Sequence, residues 1–514
     1  MAKKKLTAGE KLEMKIMKRL MVFLLSVVMA SDVIAAIEVV GGLQWAYKQK
    51  DGGAYIIEKF NYDGNVTIPS SLNGIKVVGI DARAFKDNES LTEVAFPKNG
   101  DLASIGLMAF FGSGLQKVDL PDGLVDIGEC SFSCCGRLES VVIPGSVKKL
   151  SHSEFYHCGS LSRAVIREGV VVIGGGCFGS CSKIREIVLP SSLTTIGDAA
   201  FWGCTSIREI ALPNNLATIG NAAFWGCTSI HKITLPNSLT TIGDSAFQKC
   251  ASIREITLPN SLTTIGDSAF RECASIREIT IPSRVVHIGI AAFSDCPRLL
   301  SIHVAKDNPW FSDRDGVLMD KNQKRVICCP PGKKEFKFDF SFVEEISPYA
   351  FYGCRNLKSV NMPDSVMRVG ESAFEKCTGV KTARVPSTMR DVPMGMFSGC
   401  DSLGEVSINE CVDKIGLAAF KGCGKLKKMS LRGCENVAGV VLPNKLRDVG
   451  DFAFFNCRSM EYLLIPEGVT NVGFSAFHGC SSLKTVVYPS TKKRDYSGWF
   501  DPELKVEIKE CSCP

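Results

Sequence analysis

Phenylalanine recurs along this chain at a fixed step of 23 residues, and this period constrains the fold more than any other feature of the sequence. Cys follows most of these Phe residues three positions later. The sixteen repeated positions are the less regular Phe85 and Phe110, then Phe132, Phe155, Phe178, Phe201, Phe224, Phe247, Phe270 and Phe293 at steps of 23, and, after two interruptions, Phe351, Phe374, Phe397 and Phe420 and then Phe454 and Phe477. A period this short cannot form an independent domain and fits one coil of a solenoid. The 514 residues therefore predict one repeat array rather than several separate cores.

Each repeat contains one strand and one return segment. The segment Ile253–Pro259 alternates around Ile256 and Leu258, which is the period of a half-buried strand, and proline ends it because it removes a ladder donor. The next segment, Leu262–Phe270, returns the chain, and Gly266 is expected to permit a turn that most residues resist. Because one coil cannot bury its own apolar side chains, neighbouring coils must stack. This predicts a β-rich solenoid of about 16 coils with one parallel sheet.

The full repeat reads Leu-Pro-x-x-Leu-x-x-Ile-Gly-x-x-Ala-Phe-x-x-Cys-x-x-Leu/Ile-x-x-Ile, as in Leu212–Ile233 and Leu235–Ile256. This motif resembles the BspA-like leucine-rich-repeat family of microbial surface proteins, whose cysteine-containing repeat has 23 residues, over roughly residues 66–490. The segment Asn308–Leu318, followed by Pro330–Lys333, is similar to a hairpin that these proteins place between repeats. The resemblance implies a leucine-rich-repeat array that is surface-exposed or secreted and that binds host or matrix proteins.

Two interruptions of the period and the two ends divide the chain. Residues between Phe293 and Phe351 predict a hairpin that turns at 320 to 323, and eleven residues around 432 to 440 are inserted before Phe454. A further hairpin is predicted from Leu43 to Phe60. The predicted division is a signal peptide (1–36), an N-terminal cap with a hairpin (37–79), leucine-rich repeats (80–304), a hairpin insertion (305–345), leucine-rich repeats (346–490) and a C-terminal cap or tail (491–514). Caps protect the open edges of a solenoid.

The N-terminal segment predicts export. A basic region extends to Arg19, an apolar run follows from Leu20 to Ala30, and residues 33–36 are small enough for a signal peptidase. The predicted location is therefore secreted or at the cell surface. An uncleaved signal anchor, or a true start at Met14 or Met17, remains an alternative. No later stretch reaches the roughly 18 apolar residues of a transmembrane helix.

The net charge gives no reason to expect nucleic acid. The chain carries a formal charge of +6, but residues 1–36 hold seven basic and three acidic residues. The remainder has 53 basic and 51 acidic residues, a formal charge of +2. A near-neutral chain without Lys or Arg runs does not predict a nucleic-acid partner.

The 23 Cys would suggest disulfides in an exported protein, but their placement favours buried, reduced thiols. A Cys at one phase of every coil forms a column with parallel Cβ vectors, and bridging it would distort the backbone. Free Cys is also among the most buried residue types. The Cys residues outside this column are better candidates for oxidation: Cys130, Cys134, Cys177, Cys328, Cys329, Cys411, Cys434, Cys511 and Cys513.

Motifs for catalysis, cofactors or metals are explained better by the repeat. Cys130, Cys134, His152 and His157 could supply zinc ligands, but their spacing matches no zinc pattern. The G-x-G-x-x-G match at Gly174–Gly179 is in phase with the repeat and has no βαβ context. The six His residues are scattered. We therefore predict no catalytic residue, no cofactor and no metal site.

The outward face of the predicted sheet is the remaining candidate. One outward column holds Glu186, Glu209, Lys232, Glu255 and Glu278; the other holds Val142, Val165, Val188, Ala211, Thr234, Thr257, Thr280 and His303. The three valines, flanked by Arg163, predict a contact patch, because contiguous exposed apolar area often marks a partner site. Ordinary β-propensity on a solvated sheet is the alternative. Tyr462 and Leu464 form a second candidate, since aromatic anchors are enriched in binding hot spots.

The predicted function is that of an exported, non-enzymatic protein that binds a protein or glycan partner through the sheet face. A structural spacer or envelope component without a specific ligand is the alternative, because the central coils are nearly uniform. An enzyme with a site in the insertion or in a cap is a third hypothesis.

Overall fold

The computed structural model describes residues 35–60, 64–97, 100–335, 340–431, 439–489, 499–501, 503–504 and 507–511. These described residues form parallel β-solenoid coils, about 18 turns in all, which confirms the fold class predicted from the repeats. No helix occurs in these ranges. Two compact units are formed, Met1–Ser206 and Ile207–Pro514, here called the N-terminal and the C-terminal unit. The predicted signal peptide lies almost wholly outside the described residues.

A three-stranded antiparallel element begins the N-terminal unit. Its strands are Ala35–Val40, Leu43–Lys50 and Gly53–Phe60, and the last one pairs in parallel with the first return strand. The turn between the second and third strands has two residues, Asp51 and Gly52, both with positive φ. This is the conformation that favours Asp-Gly in a tight hairpin.

Two layers of strands run through the rest of the N-terminal unit. The strand layer contains Gly64–Thr67, Leu91–Ala95, Lys117–Asp119, Ser140–Ile143, Arg163–Ile166 and Glu186–Val188. The return layer contains Ile75–Ile80, Ser104–Ile105, Asp126–Ile127, Val172–Ile173 and Thr195–Ile196, with Ser71–Leu72 antiparallel to the first. Ser140 pairs with Arg163, and Arg163 pairs with Glu186. The register therefore matches the period of the sequence.

The C-terminal unit repeats the same two layers. The strand layer contains Glu209–Ala211, Lys232–Thr234, Glu278–Ile281, Ser301–Val304, Ser359–Asn361, Thr382–Arg384, Glu405–Ile408, Lys428–Leu431, Val440–Val441, Tyr462–Leu464, Thr485–Pro489 and Glu507–Cys511. The return layer contains Thr218–Ile219, Thr241–Ile242, Thr264–Ile265, His287–Ile288, Glu345–Ile346, Arg368–Val369, Asp391–Val392, Lys414–Ile415, Asp448–Val449 and Asn471–Val472.

The strand layer is interrupted at one coil, so the prediction of a strand over Ile253–Pro259 was wrong. This segment lies outside the described strands, between the parallel pair Glu209–Ala211 with Lys232–Thr234 and the parallel pair Glu278–Ile281 with Ser301–Val304. Its side chains still alternate, with Glu255 and Thr257 exposed and Ile256 7% exposed. Burial of the apolar side chains thus maintains the path of the coil where the ladder pairing is not formed.

The insertion in the C-terminal unit contains three antiparallel strands, Phe311–Arg314, Val317–Asp320 and Arg325–Cys328. The turn at 320 to 323 separates the last two strands, and Asp320 closes it by accepting hydrogen bonds from two backbone N–H groups. Arg325–Cys328 also pairs in parallel with Glu345–Ile346, which attaches the hairpin to the return layer. Most of the second insertion, 432–438, lies outside the described residues.

The repeated Phe residues form stacked ladders in the core. In the N-terminal unit, the rings from Phe85 to Phe201 lie 5.0 to 5.6 Å apart between centroids. In the C-terminal unit, Phe247 lies 5.4 Å from both Phe224 and Phe270. Phe500 stacks on Phe477 at 5.5 Å and extends the ladder beyond the last repeat recognised in the sequence. These offset stacks bury the largest apolar side chains of every coil.

The Cys column consists of buried thiols that donate hydrogen bonds to backbone carbonyls of the preceding coil. The thiol of Cys273 donates to the backbone carbonyl of Phe247, with 3.1 Å between Sγ and O. The column thiols that make this bond include Cys135, Cys158, Cys181, Cys204, Cys250, Cys273, Cys296, Cys377, Cys400, Cys423, Cys457 and Cys480. Burial raises the pKa of the Cys273 thiol well above its ordinary value. The thiol therefore stays protonated and acts as a donor.

The expectation that Cys residues outside the column are the more oxidisable ones holds for only some of them. Cys411 is exposed, and Cys130 and Cys134 are half-buried. Cys177, Cys328 and Cys329 are buried. Cys177 is covered because it directly precedes a ladder Phe, a phase that is buried in the neighbouring coils, as at Glu154 and Ala200. Cys434 and Cys513 lie outside the described residues.

The role predicted for Gly266 was wrong. Its φ is not in the left-handed region; instead a Cβ at this position would lie 2.4 Å from Asp244 Oδ1 and 2.5 Å from Asp244 N. Gly266 is therefore required because the neighbouring coil approaches closely. The left-handed turns are made by Ser268, with φ 55°, and by Glu272, with φ 63°, on either side of Phe270.

Candidate binding surface

The strand layer of the N-terminal unit places the three predicted valines side by side. Val142 pairs with Val165, and Val165 pairs with Val188, in a parallel register. Val188 is 42% exposed, and Val142 and Val165 are half-buried. Adjacent strands lie about 4.8 Å apart, so the valines form a continuous apolar strip across three coils. We call this strip the valine strip.

Arg163 borders the valine strip but its charge is matched within the protein. Arg163 Nε lies 3.0 Å from Glu186 Oε1, and both side chains are about half exposed. An exposed pair of this kind contributes at most about 1 kcal/mol to stability. A partner that contacts the valine strip therefore meets an apolar surface with a neutral ion pair at its edge.

Tyr462 and Leu464 lie on one strand of the C-terminal unit. Both side chains are half-buried, and Leu463 between them is fully buried. The Tyr462 ring covers the backbone at Gly439, where an added Cβ would lie 2.6 Å from Tyr462 Cδ1. Tyr462 thus has a packing role, which makes it a weaker candidate than the valine strip.

The charged outward column is exposed as predicted. Glu186 in the N-terminal unit is exposed, as are Glu209, Lys232, Glu255 and Glu278 in the C-terminal unit. Thr234, Thr257, Thr280 and His303 of the second column are also exposed. The outer face of the central coils is therefore polar, in contrast to the valine strip.

An aromatic cluster on the C-terminal unit was missed by the sequence reasoning. Phe474 is 71% exposed and meets the Phe452 ring edge-on at a centroid distance of 5.6 Å. Phe452 also meets Phe455, and the ammonium of Lys421 lies 5.5 Å from the Phe452 ring. Phe452 has a φ of 55°, which is unusual for a bulky side chain. The sequence signal for this cluster is that Phe452 stands two residues before a ladder Phe, at a phase where most coils carry Ala, Ser or Gly.

No cluster suited to metal binding was found among the described residues: none of them form a group of three or more His, Cys, Asp or Glu side chains that could hold an ion. Cys130, Cys134, His152 and His157 are among these described residues. The same ranges contain no helix long and apolar enough to cross a membrane.

Comparison with known proteins identifies the repeat. The family model described as BspA type leucine rich repeat region (6 copies) matches residues 78–208, 194–312, 334–433 and 427–503. A leucine rich cell surface protein from Faecalibacterium prausnitzii is similar in structure, with 24% identity, a TM-score of 0.48, and coverage of 90% of this chain and 96% of that chain. A leucine-rich repeat protein from Bacteroides ovatus is 24% identical, with a TM-score of 0.43 and coverage of 92% and 100%. No curated protein matches the sequence.

Proposed function

Since the chain belongs to the BspA-type leucine-rich-repeat family, we propose that it is an exported, non-enzymatic protein that binds a protein or a glycan through its strand layer. The observation that supports this most directly is the valine strip, in which Val142, Val165 and Val188 lie in register on an outward face. Contiguous apolar area on a protein surface often marks a partner site.

Export is supported by the order of residues in the leader, in which a basic region precedes the apolar run Leu20–Ala30. The similar protein from Faecalibacterium prausnitzii is described as a leucine rich cell surface protein. We infer that the mature chain is secreted or is retained at the surface.

The lack of a catalytic role is supported by how the repeat distributes functional groups. Catalysis needs a nucleophile, a base or a metal converging in one pocket. Here the outward carboxylates recur once per coil, as Glu255 and Glu278 do, and so form columns rather than a cluster.

Binding through the valine strip is tested with residues 37–514 in a pull-down from matrix proteins and on a glycan array. Val165→Arg places a charge in the middle of the strip, and we expect it to weaken binding about tenfold or more, as for the loss of a hot spot. Val125→Arg is the matched control, because Val125 is 59% exposed beside the return layer of the same unit. Equal binding by both variants would exclude the valine strip as the site.

A structural spacer is the second candidate, and it is supported by the uniformity of the central coils. In three successive coils, the backbone N–H of Asp244, Asp267 and Ile290 donates to the side chain of Asn221, Asp244 and Asp267, respectively. Deletion of residues 236–258 removes one period. If the central coils only set length, the deletion should preserve the folding and the activity of the chain. If they carry a binding site, the deletion should abolish the activity.

A further inference from the structure

A second surface lies in the C-terminal unit, on the turns that lead from the Cys column into the strand layer. An open groove there is lined by Arg208, Ser229, His231, Ser252, Arg254 and Ser275. Arg and Ser alternate because the same turn, Ser-Ile-Arg or Ser-Ile-His, is repeated in successive coils. The groove therefore follows the stacking direction of the solenoid, and its lining contains no carboxylate.

The cationic groups of this groove are largely uncompensated. Arg208 and Arg254 are exposed, and within the described part of the chain their guanidinium groups make no ion pair and no hydrogen bond. The hydroxyls of Ser252 and Ser275 are likewise without a partner there. Only His231 is engaged, since its Nε2 lies 3.5 Å from Glu209 Oε1. Two guanidinium groups and several hydroxyls are thus free to donate to a ligand.

The acidic residues nearby limit where an anion can bind. Glu209 and Glu255 directly follow the lining residues Arg208 and Arg254, Glu278 directly follows Arg277 in the next coil, and all three carboxylates are exposed. They belong to the outward column of the strand layer, and none of them lines the groove. An anionic ligand should therefore be confined to the groove and be repelled from the neighbouring strand face.

The lining also indicates the class of ligand. It contains no aromatic ring on which a nucleobase could stack, and no apolar side chain that could hold the apolar residues of a peptide. Guanidinium groups bind sulfate and carboxylate through paired N–H donors, and hydroxyls suit sugar oxygens. Coils repeat about every 4.8 Å, so Arg208 and Arg254 are about 10 Å apart along the groove. A polysaccharide that carries anionic groups at regular intervals can meet both.

We propose that this groove binds a linear anionic polysaccharide, sulfated or rich in uronic acid, with Arg208 and Arg254 pairing to its acidic groups. Arg277 continues the same column one coil further and is exposed, so it extends the positive path for a longer chain. This site is separate from the valine strip and does not depend on the function proposed for it.

The proposal is tested by measuring the affinity of residues 37–514 for heparin, with neutral dextran as the uncharged probe. The double variant Arg208→Ser, Arg254→Ser should bind heparin about a hundredfold more weakly, because each of the two lost charge-assisted hydrogen bonds is worth about a factor of ten. The matched control is Arg284→Ser, Arg447→Ser, which removes the same charge from exposed positions of the same unit outside the groove. It should bind heparin within about twofold of the parent. Circular dichroism verifies that both variants are folded.

Three outcomes would overturn the proposal. The first is equal loss of heparin binding in both double variants, which would indicate general charge attraction. The second is no heparin binding by the parent chain. The third is binding of polyglutamate as tightly as heparin with the same loss at Arg208 and Arg254, which would assign the groove to acidic polypeptides. Val165→Arg should leave heparin binding unchanged, so failure of the valine strip and failure of the groove can be told apart.

Discussion

The thiol of Cys177 donates a hydrogen bond to the carboxyl of Glu154 one coil back, with 3.1 Å between Sγ and Oε2. Glu154 also accepts a hydrogen bond from the backbone N–H of Ser151, and its side chain is fully buried. Both residues directly precede a ladder Phe, at a phase where later coils carry alanine, such as Ala200. Burial raises the pKa of Glu154 to about 7. The N-terminal unit thus holds a buried acid that titrates near neutral pH.

Stability should therefore depend on pH through Glu154. Its pKa is higher in the folded chain than in the unfolded chain, so the folded state binds more protons between about pH 4.5 and 7. The contribution of Glu154 to the free energy of unfolding is full below this window and is lost as the pH rises through it, by roughly 3 kcal/mol. Glu154→Gln keeps the shape and cannot ionise. We expect denaturant unfolding at pH 5 and pH 8 to show a smaller difference for this variant than for the parent.

Glu129→Gln is the control for this experiment, because Glu129 is exposed and lies in the coil before that of Glu154. It should show the same pH dependence as the parent chain. If the free energy of unfolding changed between pH 5 and pH 8 by the same amount in the parent chain and in Glu154→Gln, Glu154 would not be the source of the pH dependence.

The thiol column should contribute to stability through its hydrogen bonds. Cys273→Ala removes the thiol donor to the Phe247 carbonyl, which still accepts from the backbone N–H of Cys250, so the free energy of unfolding should fall by about 1 kcal/mol. Cys411→Ala, at an exposed position, should change it by less than about 0.5 kcal/mol. Urea unfolding followed by circular dichroism measures both values, and equal effects would refute a structural role for the column.

The Phe ladder should dominate the packing energy of each coil. Phe247→Ala removes a fully buried ring between Phe224 and Phe270 and should cost about 3–5 kcal/mol. Phe474→Ala removes a ring that is 71% exposed, and its cost should stay near 1 kcal/mol. Thermal and urea unfolding of the two variants test this order. A smaller loss for Phe247→Ala than for Phe474→Ala would show that the ladder is not the main source of stability.

Cysteine reactivity should follow exposure rather than membership of the column. Cys411 should be alkylated by iodoacetamide first, and Cys130 and Cys134 should follow more slowly. Cys250 should react only after denaturation, because burial removes access and raises the pKa of its thiol. Peptide mass spectrometry of native and denatured chain gives the order. Labelling of Cys250 in the native chain at the rate of Cys411 would contradict the burial of the column.

The period of Phe and Cys was sufficient to predict the coil, the parallel register and the inward face. It could not predict which residues make the left-handed turns, because Ser268 and Glu272 have no sequence signature for positive φ, whereas Gly at the same phase elsewhere does. Gly266 was misassigned for the related reason that glycine serves both turns and close approaches. The distinction depends on the neighbouring coil, which a single repeat does not specify.

The candidate surfaces were predicted only in part. Val188 was predicted to face outward, and it does, because successive side chains of a strand point to opposite faces of the sheet. The Arg208 groove was not predicted, since the two-residue alternation that sets side-chain direction in a strand does not extend into the turn that holds Arg208. The burial of Cys177 and Glu154 could have been predicted by aligning the residues before each Phe, where alanine prevails.

Each thiol-to-carbonyl bond joins residues in adjoining coils. Removal or addition of one whole period therefore leaves the same pattern of donors and acceptors. Unequal recombination between near-identical stretches of the gene, such as those encoding Leu235–Ile256 and Leu258–Ile279, would add or remove whole coils and leave every donor opposite an acceptor. The hydrogen bonds of the Cys column therefore set no limit on the number of coils.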